Sequence, residues 1–516
     1  MVQVLPANSR SPAYVHVLQN ILLIYAAVVL APYLAFLALA SQAIVPFLKA
    51  AKHIKQHRQW RVSSSSTFRP RTILISGIGT TKGLALARDF YRAGHRVIGA
   101  DYEAYGIPVL GHYSVAIERF RRLPKYDNII EHTKALIGII LADRVELWID
   151  CQESISAVEA AEVAEIVQKE TKCKAVQFST AVTAVLQDKD SFVENARQLN
   201  LNVQEAIVVT SVTEALAHLS PKRGNKQYSM KGVGANELSQ TILPLATTKE
   251  TDEFVRRLKP SPFRPFILQE YVSGIEYCAH SLVLKGRVEA FVACPQGKQI
   301  MNWTALPSST ALSKAMLSFT QTYAKSIPDE SGHLTMDFVV DAAVAEKAET
   351  AIGVREQEIK DLMREMYPVQ CRSTPHESIL LLSSEAEAED LAETYLSMLP
   401  DHEPRGIASG HRSQKMVVPQ PGLPGYYWIG HDLITLVLLP LVGMISFEVS
   451  PADMLTLWMR FLEHVIYWKD STCELWDPWP AWTYYFIFLP MKFLDSLLER
   501  RWWSFCDIST GKMERC

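Results

Sequence analysis

Arg71–Asp101 reads RTILISGIGTTKGLALARDFYRAGHRVIGAD. Thr72–Ser76 (TILIS) is a short apolar run that stops at Gly77, a helical pattern follows from Thr81 to Arg92, and Arg96–Ala100 (RVIGA) is a second apolar run ending at Asp101. Strand, glycine turn, helix, strand is the signature of a βαβ unit and so of a parallel sheet. The same texture continues, with strand candidates at Val145–Asp150 (VELWID) and Ala175–Phe178 and an Ala/Glu-rich helix near Ile155–Lys169 between them. An α/β domain is expected here.

Gly77-Ile-Gly79-Thr-Thr-Lys-Gly83 is close to a dinucleotide fingerprint, and Asp101 stands where a ribose-binding acid would. The spacing is one residue too wide, as in the looser loop of short-chain dehydrogenases. Those enzymes move a proton with a Tyr-x-x-x-Lys pair. No Tyr after residue 100 has Lys four residues on, and Tyr228 has Lys231 at three. A NAD(P)-dependent oxidoreductase is kept as the alternative reading.

Outward from this unit, 516 residues suffice for roughly two to four domains. At 48% hydrophobic and 21% charged the chain is not disordered, and its net charge of −3 argues against nucleic acid as a partner. The eight Cys are scattered with no C-x-x-C, which excludes a zinc ribbon or thioredoxin motif and suits reduced, cytosol-facing thiols.

Between Ser11 and Leu48 there is no charged residue, and Ile21–Pro46 is long enough to cross ~30 Å of hydrocarbon as a helix kinked at Pro32. Lys49–Arg71 then supplies seven Lys/Arg and no acid, which by the positive-inside rule places the remaining chain in the cytosol. A buried hairpin around Pro32, or a helix lying in the interface, competes with a span. Ser63–Ser66 is a linker. Trp428–Cys516 holds eight of the eleven Trp and two uncharged runs, Leu433–Phe447 and Pro478–Met491, both short for a span. They fit a re-entrant or surface-lying segment or a Trp-rich core equally well.

In the middle, Asp188-Lys189 opens a helix, Glu205–Thr210 reads as a strand, and QYSMK (Gln227–Lys231) leads into the small-residue loop GVGANELS. Pro265–Val272 (PFILQEYV) is a strand with a polar end, Gly274-Ile-Glu276 follows, and His333–Val340 (HLTMDFVV) places Asp337 inside an apolar strand. A carboxylate there wants a cation or a donor. Lys189 and Lys231 suit phosphate oxygens, amides near Gly232 and Gly234 can close over them, Gln269 and Glu270 offer hinge hydrogen bonds, and Asp337 can hold Mg²⁺.

In that order the chain resembles ATP-grasp carboxylate–amine ligases, and most of all mycosporine-glycine synthase and its fungal relatives. The resemblance runs through the Arg71–Asp101 block, DKDSFVENARQLNL, FILQEYVSGIEYCAHSLV, HLTMDFVV, YPVQCRSTPHESI and a tail with YYWIGHDL. It implies an ATP-grasp fold behind a Rossmann-like pre-ATP-grasp domain and an N-terminal transmembrane segment. The implied units are 1–70 (membrane segment and basic linker), 71–187 (Rossmann-like), 188–265 (lid), 266–415 (nucleotide and metal subdomain) and 416–516 (Trp-rich). It implies ATP and Mg²⁺ as cofactors, with Lys189 and Lys231 on phosphates and Gln269, Glu270 and Val272 around adenine. Glu276 would sit by the ribose, Asp337 and Gln370 at the metal, and Lys231, Arg372 and His376 at the reacting groups. The implied reaction forms an acyl phosphate on a carboxylate or vinylogous acid, which an amine, expected to be an amino acid, then captures. A specialised-metabolite pathway, with its other enzymes as neighbours on the membrane, is the implied setting.

The family's E-C-N-P-R-T-H run is here Gln370-Cys371-Arg372-Ser373-Thr374-Pro375-His376. Gln370 replaces a carboxylate, Arg372 the metal-binding Asn, and Thr374 an Arg, so the metal site is short of a negative charge. Arg372 is expected to stand in for the missing Arg or for one metal charge. An impaired, ATP-binding membrane scaffold is therefore a second alternative. Ala342–Met366 is a charged, helix-like insertion, either a surface helix or a region that spoils strand pairing.

Overall fold

The computed structural model describes residues 12–44, 68–152, 156–219, 227–232, 241–296, 303–383, 388–401, 416–445, 447–507 and 512–515. The expected βαβ unit is present. β1 (Thr72–Ser76), β2 (Arg96–Asp101), β3 (Arg119–Arg122), β4 (Leu147–Asp150) and β5 (Lys174–Ala175) form a parallel sheet in the order β3-β2-β1-β4-β5. β1 is central and wholly buried, as its apolar middle Ile73–Ile75, covered on both faces, requires.

β6 (Ala206–Val209), β7 (Gln227–Gly232), β8 (Ile242–Leu243) and β9 (Phe266–Tyr271) make an antiparallel sheet ordered β6-β9-β7-β8. β9 pairs with both β6 and β7, so it belongs to this smaller sheet and not with the residues after it, where the sequence boundary at 265/266 put it. The third sheet, β11-β10-β12-β13, is also antiparallel, from β10 (Ile275–Leu284), β11 (Arg287–Pro295), β12 (Gly332–Val340) and β13 (Met366–Arg372). One of its faces packs Tyr277, Phe291, Met336 and Phe338 against the helix Ala311–Ala324. The insertion forms two helices, Ala342–Thr350 and Glu356–Met363, whose apolar sides join that cluster. β12 and β13 still pair, with one register shift between Asp337 and Phe338.

The helix Thr81–Arg92 explains how the ends of the chain attach. It is buried over nearly its whole length, including Lys82, Arg88 and Arg92. Arg88 donates Nε to Asp477 Oδ2 at 3.0 Å and Nη2 to the carbonyls of Thr472 and Asp477, while Asp477 also accepts from Ser114 Oγ at 2.6 Å and the Val115 amide at 2.9 Å. Arg92 reaches Glu474 at 3.0 Å. The Trp-rich region is thus bolted to the first domain, and Trp428 is fully buried against Leu84, Leu110 and Tyr484. Its helices include Ile429–Ile445, Pro451–Tyr467 and the run Trp479–Leu498. Ala13–Ile44 is one continuous helix through Pro32. Among the described residues it alone is long and apolar enough to cross a membrane, by length and composition.

Candidate active site

The glycine turn after β1 is tight for a stated reason. Gly77 has φ +74°, and a Cβ there would lie 2.5 Å from the Cys151 carbonyl carbon, so only glycine lets the turn pass β4. Thr80 caps the helix Thr81–Arg92 by accepting the Gly83 amide. Asp101 does not reach outward for a ribose. Its Oδ2 accepts the Gly79 amide at 2.7 Å and its Oδ1 the Tyr102 amide at 2.7 Å, so it braces the turn. Ser76 Oγ donates to Asp150 at 2.7 Å and accepts from Trp148 Nε1 at 2.8 Å. Burial raises both Asp101 and Asp150 to about 6. Both carboxylates stand at strand ends beside the glycine turn.

The face of the third sheet that carries Asp337 also packs Cys278, Leu282, Val292 and Cys294 into the core shared with β1. In antiparallel register, paired residues share a face. Cys278, Asp337 and Gln370 form one row across β10, β12 and β13, and His280, Thr335 and Arg372 form the next. The two expected metal ligands are therefore neighbours. Arg372, however, donates Nη2 to both oxygens of Asp337 at 2.8 Å. Burial pushes the Asp337 carboxyl above its ordinary range against the pull of Arg372. Gln370 is exposed.

This donor set does not fit a dedicated Mg²⁺ site. It offers one carboxylate, already engaged by a guanidinium, and one neutral amide, where Mg²⁺ wants carboxylate oxygens in near-octahedral order. Among the described residues no three His, Cys, Asp or Glu groups gather as a metal site. Arg372 occupies the position expected of a cation, which answers the sequence question of what faces Asp337.

The hinge is the clearest geometric result. Val272–Gly274 joins β9 of the small sheet to β10 of the larger one, so Gln269 and Glu270 end one sheet where Glu276 begins the other. Gly274 has no room for a side chain, since a Cβ would sit 2.1 Å from the Val340 carbonyl oxygen. Gln269 donates Nε2 to Gln204 Oε1 at 2.6 Å, and Glu270 accepts the Glu205 amide at 3.1 Å. Glu276 lies opposite Val339 in the register and close enough to Asp337 to repel its charge. Lys189 is the first residue of the helix Lys189–Gln198, half-buried behind the Asp188 cap. Lys231 and Gly232 lie on β7 opposite Ile267 and Phe266; Gly234 falls outside the described residues.

His376 is tied down through one ring nitrogen, which leaves Nε2 to carry the proton of the neutral ring. Its Nδ1 accepts the Ser378 amide at 3.2 Å and faces the Cys278 thiol at 3.4 Å, capping the short helix Glu377–Leu382. A ring nitrogen that accepts a backbone N–H carries no proton to give. The edge of Trp303 lies against the same imidazole, with ring centroids 5.2 Å apart.

Sequence reasoning missed Lys82. It is 2% exposed and its Nζ is 3.6 Å from Glu377 Oε1, at the junction of the first domain and the third sheet. His280 and His333 stack beside it, 5.3 Å between centroids. Burial, then the Lys82 charge, lowers His333 to about 3, and His280 is held well below its ordinary value by burial and by its cationic neighbours. His280 Nδ1 and Thr335 Oγ1 are 2.8 Å apart, and Thr335 donates onward to the Thr374 carbonyl. The signal was a lysine inside the glycine turn, TTKG, read there only as spacing.

No family model matches the sequence, and no curated protein matches it. Solved structures to which the chain is partly similar include the L-amino acid ligase from Bacillus licheniformis, at 14% identity over 60% of this chain and 69% of that one, TM-score 0.37. The N5-carboxyaminoimidazole synthetase from Staphylococcus aureus matches at 16% identity, covering 63% and 77%, TM-score 0.40. The phosphoribosylglycinamide synthetase from Anaerococcus prevotii matches at 14%, covering 64% and 76%, TM-score 0.43.

Proposed function

We propose that the chain is an ATP-dependent ligase of the ATP-grasp type, joining an amine to a carboxylate or vinylogous acid. The observation that carries this reading is the Val272–Gly274 hinge between two antiparallel sheets. The hinge joins the strand that carries Gln269 and Glu270 to the one that carries Glu276, in the same sheet as the Asp337–Arg372 pair. Adenine would lie against Gln269, Glu270 and Val272, the ribose near Glu276, and the phosphates toward Lys189, Lys231 and the Gly232 and Gly234 amides.

The chemistry has two steps. A substrate carboxylate oxygen attacks the γ-phosphorus, the bond to the β-phosphate oxygen breaks, and ADP leaves with that electron pair. The amine nitrogen then attacks the acyl carbon, phosphate departs, and the nitrogen loses its proton to solvent. Catalysis is positioning and charge neutralisation by Lys189, Lys231 and Arg372. An amino acid as amine, a small specialised metabolite as product, and neighbouring pathway enzymes belong to this proposal. So does attachment to a membrane through Ala13–Ile44 with the catalytic body in the cytosol.

The test is thermal stability of detergent-solubilised protein with ATP, Mg²⁺, chelator, NADH and NADPH, followed by ADP release over an amino-acid panel. A ligand at a hundredfold excess over Kd stabilises by about 2.7 kcal/mol. Stabilisation by ATP with amine-dependent ADP release supports the ligase, and Lys231→Met should abolish turnover. Stabilisation by NADPH alone overturns it. The Asp337–Arg372 pair favours one second reading, a non-catalytic ATP-binding scaffold, for which ATP would stabilise the protein without ADP release.

A further inference from the structure

The helix Ala13–Ile44 is part of the folded body. Asn20 accepts from Trp503 Nε1 at 3.0 Å, His16 stacks on Trp502, and Trp482 Nε1 donates to the Ala31 carbonyl at 3.0 Å. The chain's C-terminal run therefore passes along it antiparallel, from Trp503 beside Asn20 to Trp482 beside Ala31. Leu23 and Ile24 join the cluster that contains Leu84 of the first domain. Away from these contacts the helix exposes Tyr25, Val28, Phe36, Leu37 and Ile44, all more than half exposed.

A second apolar surface belongs to the same region. The helix Pro451–Tyr467 exposes Leu455, Met459, Leu462 and Ile466, spaced four, three and four residues apart and so on one face. The turn before it presents Phe447, 96% exposed. Trp458 Nε1 donates to the Val437 carbonyl and ties this helix to Ile429–Ile445, making a helical hairpin with an apolar tip.

A span would put the two ends of Ala13–Ile44 on opposite sides of the bilayer. The start of the helix is held on the body through Asn20, Leu23 and Trp503. After its end the chain re-enters the same body at Phe68, whose ring packs 5.4 Å from His95. The sequence between them includes Lys49, Lys52, Lys55, Arg58 and Arg61, and carrying five cations back through hydrocarbon is costly. At 32 residues the helix is also about 48 Å long, well beyond the ~30 Å core.

We propose that Ala13–Ile44 lies in the plane of a single leaflet, with the hairpin Ile429–Tyr467 inserted beside it, so that the protein is a monotopic membrane protein whose partner at this surface is lipid acyl chain. The inference rests on the membrane attachment proposed above. It replaces the transmembrane expectation with an in-plane anchor, and the second insertion accounts for the uncharged run Leu433–Phe447, too short to cross.

The test uses the full chain added to preformed phosphatidylcholine–phosphatidylserine vesicles. Flotation comes first, and failure to float overturns the attachment itself. Single cysteines are then introduced as Tyr14→Cys, Val28→Cys, Ile44→Cys and Phe447→Cys, with the unsubstituted chain as background. The expected result is reaction of Tyr14→Cys and Ile44→Cys with an impermeant maleimide on intact vesicles. Val28→Cys and Phe447→Cys should be protected, and fluorophores attached there in detergent should be quenched more by shallow than by deep nitroxide lipids. Labelling of only one helix end without permeabilisation means a true span and overturns the proposal while leaving attachment intact. Protection at Phe447→Cys without lipid quenching means a protein, such as a second copy, covers the hairpin, and also overturns it.

Discussion

Arg372→Gln is the most informative single change. Asp337 is 8% exposed and both its oxygens are held by Arg372 Nη2 at 2.8 Å. Removing one partner of a buried pair leaves a charge with no counterion, a loss of about 3–5 kcal/mol. The Arg372 side chain is 29% exposed, so water relieves part of this and about 3 kcal/mol is expected. For a unit of 150–250 residues that corresponds to a fall in Tm of roughly 6–12 °C. The sign with pH follows from Asp337, whose folded pKa is already raised by burial and rises further without Arg372. A carboxyl with a raised folded pKa destabilises when ionised, so the variant's deficit should be largest at neutral pH and shrink on acidification. Arg372→Gln with Asp337→Asn removes both charges and should recover most of the lost Tm, giving a coupling above about 1 kcal/mol. The assay is a melting curve at pH 5 and pH 7.5 for the wild type, both singles and the double. Equal deficits at the two pH values, or additive losses in the double, would refute the view that Arg372 neutralises Asp337.

Other consequences are sharper than a general loss of activity. Lys82→Met takes away the ammonium facing Glu377, and Lys82→Met with Glu377→Gln should melt above the single variant; His333, titrated by NMR, should move up from about 3 once the Lys82 charge is gone. Asp101 and Asp150, raised to about 6, and Asp89, raised to about 7, bind protons more tightly folded than unfolded, so each adds stability as pH falls from 7 toward 4.5, against the loss from His280 and His333, which fold neutral; Asp150→Asn should remove that residue's share of the pH dependence of Tm. Arg88→Met leaves Asp477 buried without its guanidinium and should cost about 3–5 kcal/mol, read as a lower Tm and faster proteolysis of the Trp-rich region; unchanged proteolysis would mean Arg88 does not hold that region in place. Gly77→Ala should fail to accumulate as folded protein, because its Cβ meets the Cys151 backbone; a Tm within a few degrees of wild type would contradict the turn geometry.

Periodic and apolar signals carried well from sequence to structure. Thr72–Ser76 and Arg96–Asp101 are strands and Thr81–Arg92 a helix, because a continuous apolar run and a capped amphipathic helix each state their own geometry. β3 (RFRR) was not legible. Arg119 and Arg121 satisfy Asp143 at the end of the helix Ile129–Asp143, Arg122 reaches Glu103, and nothing local marks an edge strand made of charge. β9 was read as a strand but put in the wrong sheet, since pairing partners at residues 206–209 and 227–232 are set by tertiary contacts. At the site, Asp337 was named from HLTMDFVV and Gln370 and Arg372 from QCRSTPH, yet motif order could not say that Arg372 would turn back onto Asp337. Lys82, His280 and His333 come from three distant segments, and only folding brings them together.

The double-sided burial of Thr81–Arg92 bears on where this chain can be cut. One side of that helix is covered by its own sheet and the other by Asp477, Glu474 and their neighbours near the C-terminus. Ending the protein before the Trp-rich region would not liberate a soluble catalytic half. It would strip the outer wall from the helix that carries the glycine turn, leaving Arg88 and Arg92 aimed at water across an apolar floor. Purification should therefore begin from the whole chain, because the Trp-rich end of the molecule is also a wall of its first domain.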